Sequence, residues 1–247
     1  MRRTVYDMHC HAHEMSSEEL EQAARLLGDL RIAAVSEDLE SLERTLELAD
    51  ALPGIVIPCV GFHPWSIRER SLHEAEELAR AALRLGVTCI GEVGLDRKFV
   101  EPWTWGLQVK IFKLFLAVAR ELDAYVTIHS PYAWKEALEM LVDSGVERAM
   151  FHWYTGPLEL IDEIVGSGYY VSINPAIKIQ EKHKRVARAA PLDGMVFESD
   201  GPYNYRGLRL SPIMIPDAVK IVASLKGVDE DTVWYWAERN SSRLLQA

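Results

Sequence analysis

Cysteine is scarce, with only Cys10, Cys59 and Cys89 among 247 residues. Three thiols are too few for a disulfide framework, and their spacings fit no zinc ribbon. They read as small buried hydrophobes in a reducing compartment. Positive charge is also short: 27 Lys and Arg against 37 Asp and Glu leave a net charge of −10. Tight, sequence-reading DNA binding needs basic stripes, and this balance argues against it. An enzyme that takes one strand end into a metal site stays open, because there the cations supply positive charge. No apolar run approaches the ~18–20 residues that span a bilayer, so no membrane contact is expected. Arg2 and Arg3 precede no apolar stretch, so no secretory signal is read and the expected location is cytoplasmic. Also missing are a Gly-x-Gly-x-x-Gly fingerprint, a Walker loop and a Gly-x-Ser-x-Gly elbow, which removes the main support for nucleotide-fold and serine-hydrolase readings.

What is present is an alternation of short apolar runs with amphipathic segments. Strands are predicted at residues 4–11, 31–35, 55–62, 87–93, 125–129, 148–153, 169–173 and 195–198. They are continuous apolar runs, as expected of parallel strands buried on both faces. Between them lie helical signals. Ser16 and Glu19 form a capping box, Ser71 and Glu74 repeat it, Gly28 and Gly86 sit where C-caps belong, and Pro157 suits a first turn. Leu107, Ile111, Leu114, Phe115, Val118 and Leu122 make one apolar stripe of a helix, and two further helices are predicted at 216–225 and 230–245. Such βα units with right-handed crossovers predict an α/β fold, a closed (β/α)8 TIM barrel of the metal-dependent hydrolase type, with residues 1–247 as a single domain. An open doubly wound sheet is the alternative.

The polar residues gain meaning on that scheme. Asp7, His9 and His11 share one face of the first strand, because side chains alternate with a period of two. Glu92, His129, His152 and Asp200 each fall at or just past the carboxyl end of a later strand. In a barrel those ends meet at one mouth, where chemistry occurs. Four imidazoles and two carboxylates exceed the roughly four ligands of one tetrahedral ion. They suit two divalent ions, of the Zn, Mg or Mn kind, bridged by a carboxylate and a hydroxide. Glu92 is the expected bridge, with His9, His11 and Asp200 on one ion and His129 and His152 on the other. Asp7 is expected behind them, accepting the N–H of a ligand histidine, or else touching a metal directly. His63, after the third strand, is expected to contact the substrate or transition state. Catalysis is assigned to Asp200, Glu92 and His63.

Trp65, Trp103, Trp105, Trp134, Trp153, Tyr154 and Tyr203 fall in or beside the loops after strands, where rings pack the rim or stack on a base. Lys98, Arg97, Arg206 and Arg209 lie on loops near the mouth. Trp65, Arg97, Tyr154 and Tyr203 are taken as substrate-binding candidates. His13, His73 and His183 are read as ordinary surface residues.

The motifs Asp7-Met8-His9-Cys10-His11, Gly61-Phe62-His63-Pro64, Gly91-Glu92-Val93-Gly94-Leu95-Asp96, Ile128-His129-Ser130, His152-Trp153-Tyr154-Thr155-Gly156, Glu198-Ser199-Asp200-Gly201-Pro202-Tyr203 and Asn240-Ser241-Ser242-Arg243-Leu244 run in order along the chain. In this the chain resembles the TatD-type metal-dependent deoxyribonucleases of the amidohydrolase-like barrels. The resemblance implies a two-metal nuclease, often an exonuclease on DNA ends, with His9, His11, Glu92, His129, His152 and Asp200 as ligands. It departs from the family's usual pattern at Pro131, where an arginine is common, and at Trp153-Tyr154-Thr155 and Ser199. Such variants resemble divergent, archaeal-type members. The expected reaction is phosphodiester hydrolysis by a metal-bound hydroxide on DNA, as single strands or ends, or on another nucleic-acid-derived substrate; no protein partner is evident. Two alternatives remain: an ester or amide hydrolase on the same site, such as a D-aminoacyl-tRNA deacylase or small-molecule amidohydrolase, and a non-catalytic scaffold.

Overall fold

The apolar runs pair in chain order. A computed structural model describes residues 3–68 and 71–246. Its strands are β1 (Thr4–Cys10), β2 (Asp29–Ala34), β3 (Val56–Val60), β4 (Cys89–Gly94), β5 (Tyr125–His129), β6 (Ala149–Phe151), β7 (Tyr170–Ile173) and β8 (Met195–Phe197). Each pairs in parallel with the next. The ring closes just beyond the last strand. There the Asp200 N–H donates to the His9 carbonyl at 3.0 Å and the His11 N–H to the Gly201 carbonyl at 2.8 Å. The expected (β/α)8 barrel is therefore the observed one, and its seam joins the two stretches that carry His9, His11 and Asp200.

Helices α1 (Ser17–Leu27), α2 (Leu39–Ala51), α3 (Ser71–Leu85), α4 (Trp105–Leu122), α5 (Trp134–Ser144), α6 (Glu159–Gly166), α7 (Glu181–Ala189), α8 (Ile215–Lys226) and α9 (Glu230–Leu245) form the outer layer. None of the described helices is long and apolar enough to cross a membrane. Ser16 caps α1 through the box with Glu19. Ser71 instead lies inside α3, its hydroxyl accepting the Arg68 N–H at 2.6 Å. The stripe read on α4 is buried at Ile111, Phe115 and Val118, which pack against the sheet in one continuous shell. A second cluster of Tyr6, Met8, Val35, Tyr125, Met150 and Val196 fills the barrel, and Leu244 and Leu245 of α9 pack into it. The mouth thus sits on a packed floor, not over a pore.

Two further features differ from the sequence expectation. Cys59 and Cys89 are bonded to each other, because they are register partners on β3 and β4 with Cα atoms 4.6 Å apart. Only Cys10 is a free, buried thiol, so the cysteines lend no support to a reducing compartment. A small hairpin, β9 (Asn204–Tyr205) with β10 (Leu208–Arg209), follows the barrel. Its turn residues Arg206 and Gly207 have φ of 52° and 87°, the positive values that a tight hairpin turn takes. Strands of two residues are too short to show a period, which is why the sequence did not reveal them.

Glycines fix how β4 enters the mouth. Its ladder with β5 shifts register between Ile90 and Val93, around Glu92. A Cβ on Gly91 would lie 2.0 Å from the Thr127 methyl group, and one on Gly94 would lie 1.9 Å from the His129 carbonyl oxygen. Gly94 also has φ of 152°. Gly94→Ala is expected to cost at least about 2 kcal/mol in urea unfolding. Gly106→Ala, on α4 with open space around it, is expected to leave stability unchanged or slightly raised. Equal effects of the two would contradict this reading of β4.

Candidate metal centre

His9 and His11 leave β1 on one face with Cys10 turned outward between them, while the register shift between Asp7 and Cys10 leaves Met8 in the barrel interior. Glu92 projects from β4, His129 ends β5, His152 follows β6 directly, and Asp200 comes after Glu198 and Ser199 beyond β8. The barrel brings all six together. His9 Nε2 lies 3.4 Å from His11 Nε2, 3.2 Å from Glu92 Oε2 and 3.6 Å from Asp200 Oδ1. His11 Nε2 lies 3.4 Å from Glu92 Oε2 and 3.3 Å from Asp200 Oδ1. Ligands on a tetrahedron with bonds of ~2.0–2.1 Å are separated by about 3.3–3.4 Å. His9, His11 and Asp200 have the spacing of ligands on one cation, with Glu92 Oε2 within reach of both imidazoles. Glu92 Oε2 and Asp200 Oδ1 are moreover buried without a hydrogen-bond partner. Buried carboxylate oxygens left orphaned are costly unless a cation meets them.

The other Glu92 oxygen belongs to a second group. Oε1 lies 2.9 Å from His129 Nδ1, 3.3 Å from His63 Nε2 and 3.9 Å from His152 Nε2. The His152 ring stacks on His9 at 3.8 Å and its Nε2 is 3.8 Å from Asp200 Oδ1. His152 therefore stands between the two groups, nearer to His9 than expected.

Each imidazole is turned by a partner on its far nitrogen. Thr127 Oγ1 lies 2.7 Å from His9 Nδ1, Glu37 Oε1 2.8 Å from His11 Nδ1, Asp96 Oδ2 2.7 Å from His129 Nε2 and Glu198 Oε1 3.0 Å from His152 Nδ1. His63 Nδ1 accepts the Trp65 backbone N–H at 3.0 Å, which leaves the neutral ring's proton on Nε2. Thr127, Glu37, Asp96 and Glu198 were missed as orienting groups. Asp96 and Glu198 sat in plain view inside the Gly-Leu-Asp and Glu-Ser-Asp motifs. Glu37 carried no signal, since it depends on where the loop after β2 falls. Asp7 does not hold a ligand imidazole. Its Oδ1 accepts the backbone N–H of Ser199 at 2.7 Å and of His9 at 3.4 Å, fastening the seam.

Charge follows this geometry. Burial opposes ionisation of Glu92, yet His63, His9 and His152 hold its carboxyl well below the usual range. Burial also works against His152 and His11, but carboxylates prevail: Glu198, Asp200 and Glu92 raise His152 to about 9, and Asp200 and Glu37 raise His11. Burial lowers His9 and pushes Asp7 up to about 7.

Substrate candidates separate. Trp65 is half-exposed beside His63, its indole N–H donating to Asp96 at 2.8 Å. Tyr203 is exposed and edge-on to Trp153. Arg97 is tied down, ion-paired with Glu136 at 3.1 Å and stacked on Trp105 at 3.6 Å. Tyr154 is turned away from the mouth and fully buried, its hydroxyl donating to the Pro157 carbonyl at 2.6 Å. Trp153 faces outward in its place, with φ of 38°. Two other histidines are not surface residues. His183 is buried on the inner face of α7, accepts the Asn174 N–H at 2.9 Å, and is lowered to about 4 by burial. His13 is half-buried beside His11 and 3.2 Å from the Val35 carbonyl oxygen. His73 is exposed.

Residues 6–246 match the family described as TatD related DNase. The chain is 24% identical to the human deoxyribonuclease TATDN3, over 97% of this chain and 94% of that protein. It is 28% identical to the Escherichia coli K12 uncharacterized metal-dependent hydrolase YcfH, over 97% and 95% of the two chains. The crystal structure of YjjV, a TatD homolog from Escherichia coli K12, superposes with a TM-score of 0.89 at 23% identity, covering 100% of both chains. These relatives give no support to the archaeal-type placement.

Protons compete with cations for these imidazoles. His152 has a folded pKa of about 9 against an ordinary 6.5, so its contribution to the metal-free fold is full below pH 6.5 and is lost as pH rises through 9. A cation needs the same nitrogen unprotonated. The melting temperature of chelated protein is expected to fall between pH 6.5 and 9, while the increment added by Mn²⁺ or Zn²⁺ grows. Differential scanning fluorimetry across that range reads both, and a pH-independent increment would contradict the assignment.

Proposed function

Because the chain belongs to the TatD-related DNase family, we propose that it is a two-metal hydrolase that cuts phosphodiester bonds of DNA, taking single strands or strand ends, with residues 1–247 acting as one domain. The observation that carries this reading is Glu92, which turns one oxygen toward His9 and His11 and the other toward His129. On this reading His9, His11, Asp200 and Glu92 would hold one ion, and His129, His152 and Glu92 would hold the other. Divalent cations there supply Lewis acidity, which makes water nucleophilic at neutral pH and offsets charge on a phosphoryl group.

The chain's own residues do the rest. For Nε2 of His9 to offer a lone pair, its proton sits on Nδ1, where Thr127 Oγ1 accepts it at 2.7 Å. Asp96 fixes His129 in the same way, and the Glu198 carboxylate lies 3.0 Å from His152 Nδ1. Asp200 presents an unpartnered oxygen to the centre and takes the proton of the attacking water. His63 keeps its proton on Nε2, facing the same space, and donates it in a hydrogen bond to a phosphoryl oxygen. Trp65 and Tyr203 wall the approach, with Trp153 taking the place assigned to Tyr154. A single-stranded DNA oligonucleotide, bis(4-nitrophenyl) phosphate and an acyl ester, each assayed with chelator and with Mn²⁺, Mg²⁺ or Zn²⁺ returned, test the reading. Chelator is expected to abolish DNA cleavage and metal to restore it. Asp200→Ala and Glu92→Ala are expected to lower kcat at least about 1,000-fold with near-UV circular dichroism retained, and His63→Ala about 100-fold. Turnover of the acyl ester without cleavage of DNA would overturn it.

A further inference from the structure

Beside the metal centre lies a cavity of about 350 Å³, a size found among small-ligand sites. It is lined by Lys98 from the loop after β4, Tyr132 and Trp134 from the loop after β5 and the start of α5, Lys182 from α7, and Tyr205 and Arg206 from the β9–β10 hairpin. Its link to the centre is short. Trp153, next in the chain to His152, donates its indole N–H at 2.9 Å to Gln180 of the cavity wall. Gln180 in turn donates to the Tyr205 hydroxyl at 3.0 Å.

The lining is chemically selective. In a protein of net charge −10, three cations gather here, and among the described residues none of Lys98, Lys182 and Arg206 forms an ion pair. The one acid in the lining, Glu181, is neutralised by Lys184 at 2.6 Å. The cations lie among aromatic faces: Lys98 Nζ is 4.4 Å from the Phe99 ring centre, and Arg206 is 5.4 Å from that of Tyr205. Tyr132 is exposed, 5.2 Å from Trp134 and tilted by 33°. Tyr132 holds left-handed backbone, with φ of 60°, a cost that clusters at functional sites. Unpaired cations interleaved with exposed rings are what a single nucleic-acid strand requires, since phosphates meet the cations and bases stack on the rings.

We infer that this cavity is a subsite for a nucleotide flanking the scissile phosphodiester of a single strand. Its base stacks on Tyr132, Trp134 or Tyr205, and its phosphates meet Lys98, Lys182 and Arg206. The inference rests on the phosphodiesterase reading above, and the test separates the two. Anisotropy of a labelled phosphorothioate oligothymidylate, whose sulfur slows hydrolysis, is measured on the metal-loaded protein and on a Lys98→Ala, Lys182→Ala, Arg206→Asn variant. Asn is chosen because it tolerates left-handed backbone. The expected result is a Kd at least tenfold higher in the variant and a salt slope lower by about 2, from three contacts at about 0.7 each. An abasic oligomer of equal length is expected to bind wild type about tenfold more weakly. The ratio of oligonucleotide to bis(4-nitrophenyl) phosphate kcat/KM is expected to fall in step. Binding that depends on these residues, without cleavage, would support the subsite and overturn the phosphodiesterase reading. No binding, equal binding by wild type and variant, or equal affinity for the abasic oligomer would overturn the subsite.

Discussion

Glu92 is a carboxylate held at the floor of the barrel mouth, 1% exposed, with imidazoles on both of its oxygens. A buried charge in that position is tolerable only if opposite charge is brought to it. In the metal-free protein the imidazoles partly serve, and His11 and His152 are held protonated beyond their usual range by the surrounding carboxylates. That compensation is poor in one respect, since Glu92 Oε2 and Asp200 Oδ1 still lack hydrogen-bond donors. Divalent cations would satisfy those oxygens and release the protons. The same balance explains the ring of outer groups. Thr127, Glu37, Asp96 and Glu198 each turn one imidazole, so the inward nitrogens converge without any single strand supplying more than a few of them.

The scaffold is arranged around this charge. The seam that closes the barrel is also where His9, His11 and Asp200 meet, and Asp7 fastens it through the Ser199 amide. The bend of β4 that points Glu92 inward exists because Gly91 and Gly94 let β5 approach closer than any side chain would allow. Stability and site geometry share these contacts.

Much of this was legible in the sequence, for identifiable reasons. A period of two places His9 and His11 on one face of β1 wherever that strand lies. Strand ends converge in any barrel, so Glu92, His129, His152 and Asp200 could be gathered from positions far apart in the chain. What stayed hidden depends on contacts that no period encodes. His183 looks like a charged-helix residue until α7 is docked with that face inward. Cys59 and Cys89 become partners only when the register of β3 and β4 is known. Trp153 and Tyr154 exchange roles because Trp153 takes left-handed backbone, which is uncommon for a residue with a side chain. Arg97 has the right charge near the mouth, but Glu136 and Trp105 engage it.

The central claim is that one carboxylate, Glu92, is shared by two cations at the mouth. Anomalous diffraction at the manganese edge from crystals grown with Mn²⁺ tests it most directly. Two peaks are expected on either side of Glu92, one against His9, His11 and Asp200 and the other against His129 and His152, with His63 coordinating neither. A single peak, or manganese bound away from Glu92, would contradict it.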